Sequence, residues 1–457
     1  MTKTESQWTC SECGHNQRKW AGKCSKCLSW NTFVEEIKVN LKSQKFESQT
    51  VTAGSKPVPL NEVKREEVER LQTGFEELDR VLGGGQVVGG LTLLGGDPGI
   101  GKSTMMLQLA KQFADKGARI LYVCGEESTA QTAMRAKRLG IESDKIYLYN
   151  ETIFSNIRHQ IETIQPDILV IDSIQIVYKN ELPSLPGSVT QVKEIAMECM
   201  HIAKGQGITT FIIGHVTKSG ELAGPRVLEH IVDVVLDFDG DKQHGYRMLR
   251  AGKNRFGPTD EVALFQMEEK GLSEVTNPSQ IFLEDRVQKL PGSAIIPTME
   301  GSRSILVEVQ ALVAPSAFST SSRRCSGIDS NRLALLLAVL EKRMGYHFHN
   351  LDVFVSVAGG LKIQEPAIDL GLLMAIASSF CNQSLPSTLA IVGEVGLGGE
   401  VRRCPRVAAR VKEAINMGFE QCVIPKKNEK DITKKMSQSI NIRSFDLVEA
   451  AINSVIG

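Results

Sequence analysis

The sequence predicts an α/β fold built on a parallel sheet, and three observations carry that prediction. Between Leu71 and Met267, short apolar runs alternate with amphipathic stretches, the pattern of strands covered on both faces by helices. One of those runs, Leu91 to Leu94, leads into the glycine-rich octapeptide Gly96-Asp97-Pro98-Gly99-Ile100-Gly101-Lys102-Ser103. The chain is also 457 residues long, too long for one ordinary core, so two or three domains are expected.

Taken in order, residues 1–35 are compositionally separate. They hold two cysteine pairs and, as Trp8, Trp20 and Trp30, all three tryptophans of the chain. Residues 36–60 are polar and without sustained periodicity, as a flexible linker is. The α/β core is expected over 61–276, with strands at Leu91 to Leu94, Arg119 to Cys124, Asp167 to Ile171, Thr209 to Gly214 and Val232 to Phe238. Helices from Ser103 to Lys116 and Val189 to Lys204 separate some of them, with Gly117 and Gly205 as expected C-terminal caps. Residues 277–457 form a third, α+β segment, with a strand at Ile305 to Val313, a long helix around Asn331 to Met344 and a second strand-and-helix set from Val353. No internal repeat is visible.

Apolar residues at 42% and charged residues at 23% are the proportions of a globular protein. No apolar run approaches the length of a spanning helix, and the polar stretch Met1 to Gln7 lacks the core of a secretory signal, so no membrane association and a cytoplasmic location are expected. Six of the ten cysteines are scattered singly and are expected to be reduced. Lys plus Arg equals Asp plus Glu at 53 each, which excludes a strong overall positive field; any nucleic-acid contact must come from local patches. Residues 1–60 lean basic, nine against five.

The octapeptide matches G-x-x-x-x-G-K-S between a predicted strand and a predicted helix, the context that makes it a nucleotide-phosphate loop. Its glycines let backbone N–H groups turn inward on phosphate oxygens, Lys102 adds a cation, Ser103 is a magnesium ligand, and Thr104 continues the site. Asp172 ends the apolar run Asp167 to Asp172, where an acid holding the magnesium shell belongs. Hydrolysis of ATP also needs a group to orient water, and Glu126 is the first candidate, with Glu127 in reserve. The same acids would also suit a helix N-terminus.

Cys10-x-x-Cys13, ten residues, then Cys24-x-x-Cys27 is the spacing that brings four thiolates around Zn²⁺. So short a segment buries too little apolar surface to fold without the metal. His15 is surplus to such a site. The three tryptophans suit base stacking or packing over the metal site, and packing is the expectation.

Two further strings narrow the class. Leu71 to Asp79 followed by Gly83-Gly84-Gly85 is similar to the opening of RecA-family ATPase cores, and Lys253-Asn254-Arg255-Phe256-Gly257 resembles the signature pentapeptide of the bacterial RadA (Sms) family of DNA repair proteins. With the four-cysteine module before the core and a segment after it that resembles the proteolytic domain of Lon, notably Glu365 to Gly371 and Gly393 to Leu397, the resemblance covers essentially the whole chain. It implies a RecA-like P-loop core with a mixed, mostly parallel sheet, a zinc ribbon and a Lon-like domain. It also implies a DNA-dependent ATPase that uses ATP, Mg²⁺ and Zn²⁺ and drives branch migration or unwinding on single-stranded DNA and branched recombination intermediates. A hexameric ring and a RecA-type recombinase as partner come with it. Lys253 and Arg255 then act across a subunit boundary on the neighbour's γ-phosphate, His215 takes the place of a polar sensor, and Lys218 and Arg226 sit on a loop that meets DNA. Aligned to Lon, Asp369 stands where the nucleophilic serine would be and Ala408 near the catalytic lysine, so peptidase activity is not expected. Arg323, Arg324 and Lys342 are basic but expected to be solvated surface. An ATP-dependent protease would require that serine and lysine, and a clock-type kinase usually carries a second P-loop.

Overall fold

The computed structural model describes residues 4–10, 12–17, 19–39, 59, 69–215, 227–240, 246–316 and 321–456. The chain divides into two compact units, Met1–Glu274 and Val275–Gly457. Among the described residues no helix is long and apolar enough to cross a membrane.

The first unit opens with a small antiparallel sheet of β1 (Thr4–Cys10), β2 (Asn16–Gln17) and β3 (Phe33–Val39), in the order β2-β1-β3. A short pair, β4 (Arg70–Leu71) and β5 (Gln86–Val87), brackets α1 (Glu76–Val81). The core proper then runs through β6 (Leu91–Gly96), α2 (Lys102–Asp115), β7 (Ile120–Cys124), α3 (Thr129–Arg138), β8 (Ile146–Tyr149), α4 (Phe154–Ile164), β9 (Ile168–Asp172), α5 (Val189–Gln206), β10 (Thr209–Ile213), α6 (Val227–Ile231) and β11 (Val234–Asp239). It closes on β12 (Tyr246–Asn254), β13 (Val262–Glu268) and β14 (Gly271–Glu274). Together these strands make one nine-stranded sheet, β14-β13-β12-β11-β6-β10-β9-β7-β8. Its pairings from β11 to β8 are all parallel, while β12, β13 and β14 add an antiparallel edge.

Strand periodicity decides which side chains meet which layer. On β7, Ile120, Tyr122 and Cys124 pack with α2, while Leu121 and Val123 face the layer of α4 and α5. On β9, Ile168 and Val170 join the first cluster and Leu169 and Ile171 the second. Apolar residues at every position of these strands are what two covered faces require. Helix α5 differs from expectation at its end. It runs through Gly205 to Gln206 and stops at Gly207, whose φ of 71° makes it the left-handed cap; an interior glycine costs a helix only about 1 kcal/mol.

The second unit contains α7 (Pro278–Glu284), β15 (Ser293–Glu300), β16 (Arg303–Pro315), β17 (Arg323–Ser326), α8 (Ser330–Met344), β18 (Leu351–Val357), α9 (Asp369–Cys381), β19 (Leu389–Ile391), β20 (Glu394–Val395), β21 (Val401–Arg402), α10 (Val407–Asn416), β22 (Gln421–Pro425), α11 (Lys434–Ser439), β23 (Asn441–Phe445) and α12 (Val448–Ile456). Its seven-stranded sheet, β17-β18-β16-β15-β19-β22-β23, pairs β16 antiparallel with β15 and β18, adds β17 parallel to β18 at one edge, and has a parallel half, β15-β19-β22-β23, wound by α10 and α11. The segment expected as α+β is therefore a mixed α/β layer.

One buried ion pair pins this unit. Arg410 of α10 is fully buried, donates to both Glu365 oxygens at 2.8 and 2.5 Å, and reaches the Pro297 carbonyl at 2.6 Å. Burial pushes the Glu365 carboxyl up, but the Arg410 hydrogen bonds and charge bring it below the ordinary glutamate range. A depressed carboxylate stabilises the fold above that range, and the contribution is lost as pH falls through the folded value. Arg410→Met, which strands the half-buried carboxylate, is expected to destabilise this unit by about 3–5 kcal/mol; calorimetry showing unchanged unfolding at neutral pH would contradict that role.

Candidate nucleotide site and metal-binding module

The phosphate loop hangs between β6 and α2 and is closed against β11. Gly96 has φ 152°, and a Cβ there would lie 2.3 Å from the Phe238 carbonyl oxygen, so no side chain fits. Helix α2 begins with no side-chain cap at Gly101 and no acid in its first turn, whereas α3 has a capping box from Ser128 and Gln131 and α5 is capped by Ser188. Its first N–H groups are thus left for an anion. Lys102 is buried, and its Nζ donates to the Gly96 and Asp97 carbonyls at 2.7 and 3.0 Å. Burial lowers its pKa from the ordinary lysine value, with Asp172, Glu126 and Asp97 opposing. From β12, buried Arg247 donates through Nε to the Ile100 carbonyl at 3.0 Å. That residue was not legible in the sequence, since it joins the loop only through sheet pairing.

Two acids face the loop from neighbouring strands. Asp172 ends β9 beside Cys124 of β7, and its peptide bond to Ser173 is cis. The Tyr122 hydroxyl donates to its carboxylate at 2.8 Å, and Ser103 hydrogen-bonds it as well. Burial raises the Asp172 pKa, and the bonds to Ser103 and Tyr122 oppose the shift. Glu126 follows β7, accepts from the Ser173 hydroxyl and lies 2.7 Å from Nε2 of His215. The His215 bond, the Ser173 bond and the Lys102 charge hold Glu126 below the ordinary glutamate value despite burial. Nδ1 of His215 has no partner among the described residues. Glu127 lies elsewhere, paired with Arg135 of α3 at 2.6 Å. Of the two glutamates, only Glu126 is held beside Lys102 and the Asp172–Ser173 turn. Lys218 and Arg226 lie outside the described residues.

The pentapeptide sits at the opposite end of the same sheet. Asn254 pairs with Val234, and Val234 pairs with Thr92 near the start of β6, four residues or about 13 Å below Gly96 along the strand. Lys253 Nζ donates to the carbonyls of Glu229 and Val232, and Arg255 contacts Asp233 Oδ1 at 3.4 Å. Burial first, and then the Arg255 charge, lower the Lys253 pKa from the ordinary lysine value. Gly257 closes on the glycine run of the core's opening: a Cβ on it would stand 2.9 Å from Gly83 Cα. Arg70 clamps the same junction by donating to Leu82, Gly85 and Phe256 carbonyls at 3.1, 3.0 and 2.8 Å, and Asn254 reaches the Val81 carbonyl. The two strings quoted separately from the sequence are thus one backbone-to-backbone joint.

In the N-terminal module the Sγ atoms of Cys10, Cys13, Cys24 and Cys27 all lie within 4.8 Å of one another. The Cys10–Cys27 and Cys13–Cys24 separations are 3.6 Å, far from the S–S bond length of a disulfide and close to the roughly 3.8 Å between thiolates of one zinc tetrahedron. Each pair forms a knuckle, with Gly14 N bonded to the Cys10 carbonyl and Leu28 N to the Cys24 carbonyl. The donor set and geometry fit Zn²⁺, which would supply the folding energy that a core of Cys10, Cys24 and Phe33 does not. Trp8 packs on that core, but Trp20 and Trp30 are 54% and 68% exposed, contrary to the expectation of packing. Two cysteines and one phenylalanine make too small a core to bury two further indoles.

In the second unit Asp369 is buried at the start of α9, bound by Arg332 Nε at 2.6 Å and by Arg332 Nη2, and by the Val395 N–H at 3.1 Å.

Fold and site define a P-loop ATPase with a RecA-like core, preceded by a four-cysteine module. Family models match three segments: an AAA domain over residues 57–221, a rubredoxin metal binding domain over 8–35 and subunit ChlI of Mg-chelatase over 331–428. The chain is 52% identical over 452 residues to the DNA repair protein RadA of Chlamydia muridarum, covering 99% of this chain and 98% of that protein. Against that of Bacillus subtilis it is 49% identical over 459 residues, covering 100% of both. It belongs to the RadA family of DNA repair proteins. Among solved structures, a KaiC-like protein of Pyrococcus horikoshii matches 46% of this chain and 99% of its own at 21% identity, with a TM-score of 0.39.

Metal analysis of the purified chain is expected to find one zinc per polypeptide. Its removal by a chelator is expected to shift the tryptophan emission, because every tryptophan lies in that module. A zinc-free protein with unchanged emission would contradict the site.

Proposed function

We propose that this chain is a DNA-dependent ATPase of recombinational repair, acting in the cytoplasm, that drives branch migration or unwinding of recombination intermediates. Residues 1–35 serve as the zinc module, 36–60 as the linker, 61–276 as the motor and 277–457 as a non-proteolytic scaffold. The observation that carries the reading is the arrangement of one sheet. Lys102, Ser103, Asp172 and Glu126 converge at the C-terminal ends of β6, β9 and β7, while Lys253 and Arg255 stand at the other end of β12.

In this reading the loop N–H groups and Lys102 hold the β and γ phosphates of ATP, and Ser103 and Asp172 hold Mg²⁺, which when bound neutralises charge on the phosphate oxygens. Glu126, kept ionised by His215 and Ser173, orients the attacking water and accepts its proton. Lys253 and Arg255 cannot reach their own phosphate loop across the height of the sheet, which supports their delivery to a neighbour's γ-phosphate in a ring of copies, a hexamer by the family resemblance. His215 then links the state of Glu126 to the segment that carries Lys218 and Arg226, the candidate contacts to single-stranded DNA. A RecA-type recombinase is the partner the family implies. In the second unit Asp369 is locked by Arg332, and Ala408 has no amine to activate a nucleophile, which supports a scaffold without peptidase chemistry.

Glu126→Gln is expected to lower kcat by at least about 10²-fold while leaving ATP binding intact. Wild-type protein is expected to hydrolyse ATP faster with single-stranded DNA and to displace a strand from a branched duplex, with Lys102→Ala inactive in both assays. DNA-stimulated hydrolysis without displacement at any end geometry would reduce the motor to an ATP-gated scaffold. Hydrolysis indifferent to DNA would remove the repair reading.

A further inference from the structure

The exposed indoles of the N-terminal module are placed with more order than a chance pair of surface residues. Trp30 forms a backbone bridge with Lys23, Asn31 N donates to the Gly22 carbonyl at 2.8 Å, and a Cβ on Gly22 would lie 3.7 Å from both Trp20 and Trp30. Both rings therefore lie beside the one residue between them that has no side chain. Lys23 Nζ sits 5.4 Å from the centre of the Trp30 ring, and Lys19 and Lys26 are exposed on the same module. Between Trp8 and Val34 the described side chains include one acid, half-buried Glu12. A metal-stapled turn that holds two exposed indoles, with Lys23 over one of them and two more exposed lysines on the same module, offers both contacts an unpaired strand requires: aromatic surface for the bases and cations for the phosphates between them.

We infer that Trp20 and Trp30 form a base-stacking platform for single-stranded DNA, with Lys23 and Lys19 as its phosphate contacts. The inference rests on the DNA-dependent reading above, but it assigns the zinc module its own ligand, separate from any contact made by the ATPase core. A protein partner would also bury exposed indoles, yet the lysines interleaved with them favour a polyanion.

Because all three tryptophans lie in this module, the tryptophan emission of the full-length protein, excited selectively over tyrosine, reports on it alone. The test is a titration of the full chain with a 15-nucleotide oligothymidylate and with an abasic strand of equal length. Saturable quenching by oligothymidylate but not by the abasic strand is expected. Anisotropy of a labelled oligothymidylate is expected to show about tenfold weaker binding by the Trp20→Ala, Trp30→Ala double variant, and near-normal binding by the corresponding Phe pair. Zinc content of each variant separates lost stacking from a lost fold; if the Ala pair loses its metal, the wild-type quenching and the Phe pair decide. Equal quenching by both strands, no quenching, or an emission change produced only by a protein partner would overturn the platform. If DNA stimulates hydrolysis while the emission stays unchanged, the motor stands and the platform falls. Quenching without stimulation has the reverse meaning.

Discussion

The hydrogen bond from buried Arg247 to the Ile100 carbonyl joins the phosphate loop to β12, and the organisation of the ATPase core follows that strand. At its start β12 holds the loop; at its end it carries Lys253 and Arg255 about a strand's length away. Between them Gly252 is skipped in the pairing of Lys253 with Val235 and Ala251 with Leu236, a bulge that re-aims the residues beyond it. Residues 248–250 of β12 pair with both β11 and β13, and Lys253 and Asn254 pair with β11, so the sheet ties the end that carries the cations to the end that holds the loop. The Gly83–Gly257 contact and the Arg70 clamp fix the same end from the other direction.

Charge balance lets a buried cation and two acids share the nucleotide site. Lys102 is buried with its ammonium on backbone carbonyls, and Asp172 and Glu126 lie close enough to oppose the burial penalty on its charge. The acids are treated differently. Asp172 carries the heavier burial and its pKa rises, while hydrogen bonds from His215 and Ser173 lower that of Glu126. Burial and hydrogen bonding thus set the two carboxylates of one site apart.

Much of this was legible in the sequence because it is local. The phosphate loop, the strand ending in Asp172 and the paired cysteines declare themselves by spacing, and the five strands expected for the parallel core lie within two residues of their observed limits, whereas β8 was not expected at all. What escaped depends on distant pairing. Arg247 gives no signal until β12 is laid beside β11, and the sequence ranks Glu126 before Glu127 without showing that Arg135 pairs with Glu127. The cap of α5 was misplaced because two glycines stand near one helix end and only backbone conformation separates Gly205 from Gly207. The tryptophans were expected to pack over the metal site; Trp8 does, but a core of two cysteines and one phenylalanine leaves Trp20 and Trp30 exposed.

The separation of the pentapeptide from its own phosphate loop yields the central claim, that each catalytic site is completed by a neighbouring copy. Mixing two inactive proteins tests it most directly. Lys102→Ala loses its own phosphate site but keeps Lys253, and Lys253→Ala keeps the phosphate site but loses the cation for its neighbour. The account predicts that a mixture hydrolyses ATP well above the average of the two proteins alone, because a Lys253→Ala site beside a Lys102→Ala subunit is whole. A mixture no more active than that average, under conditions where the two proteins co-assemble, would contradict it.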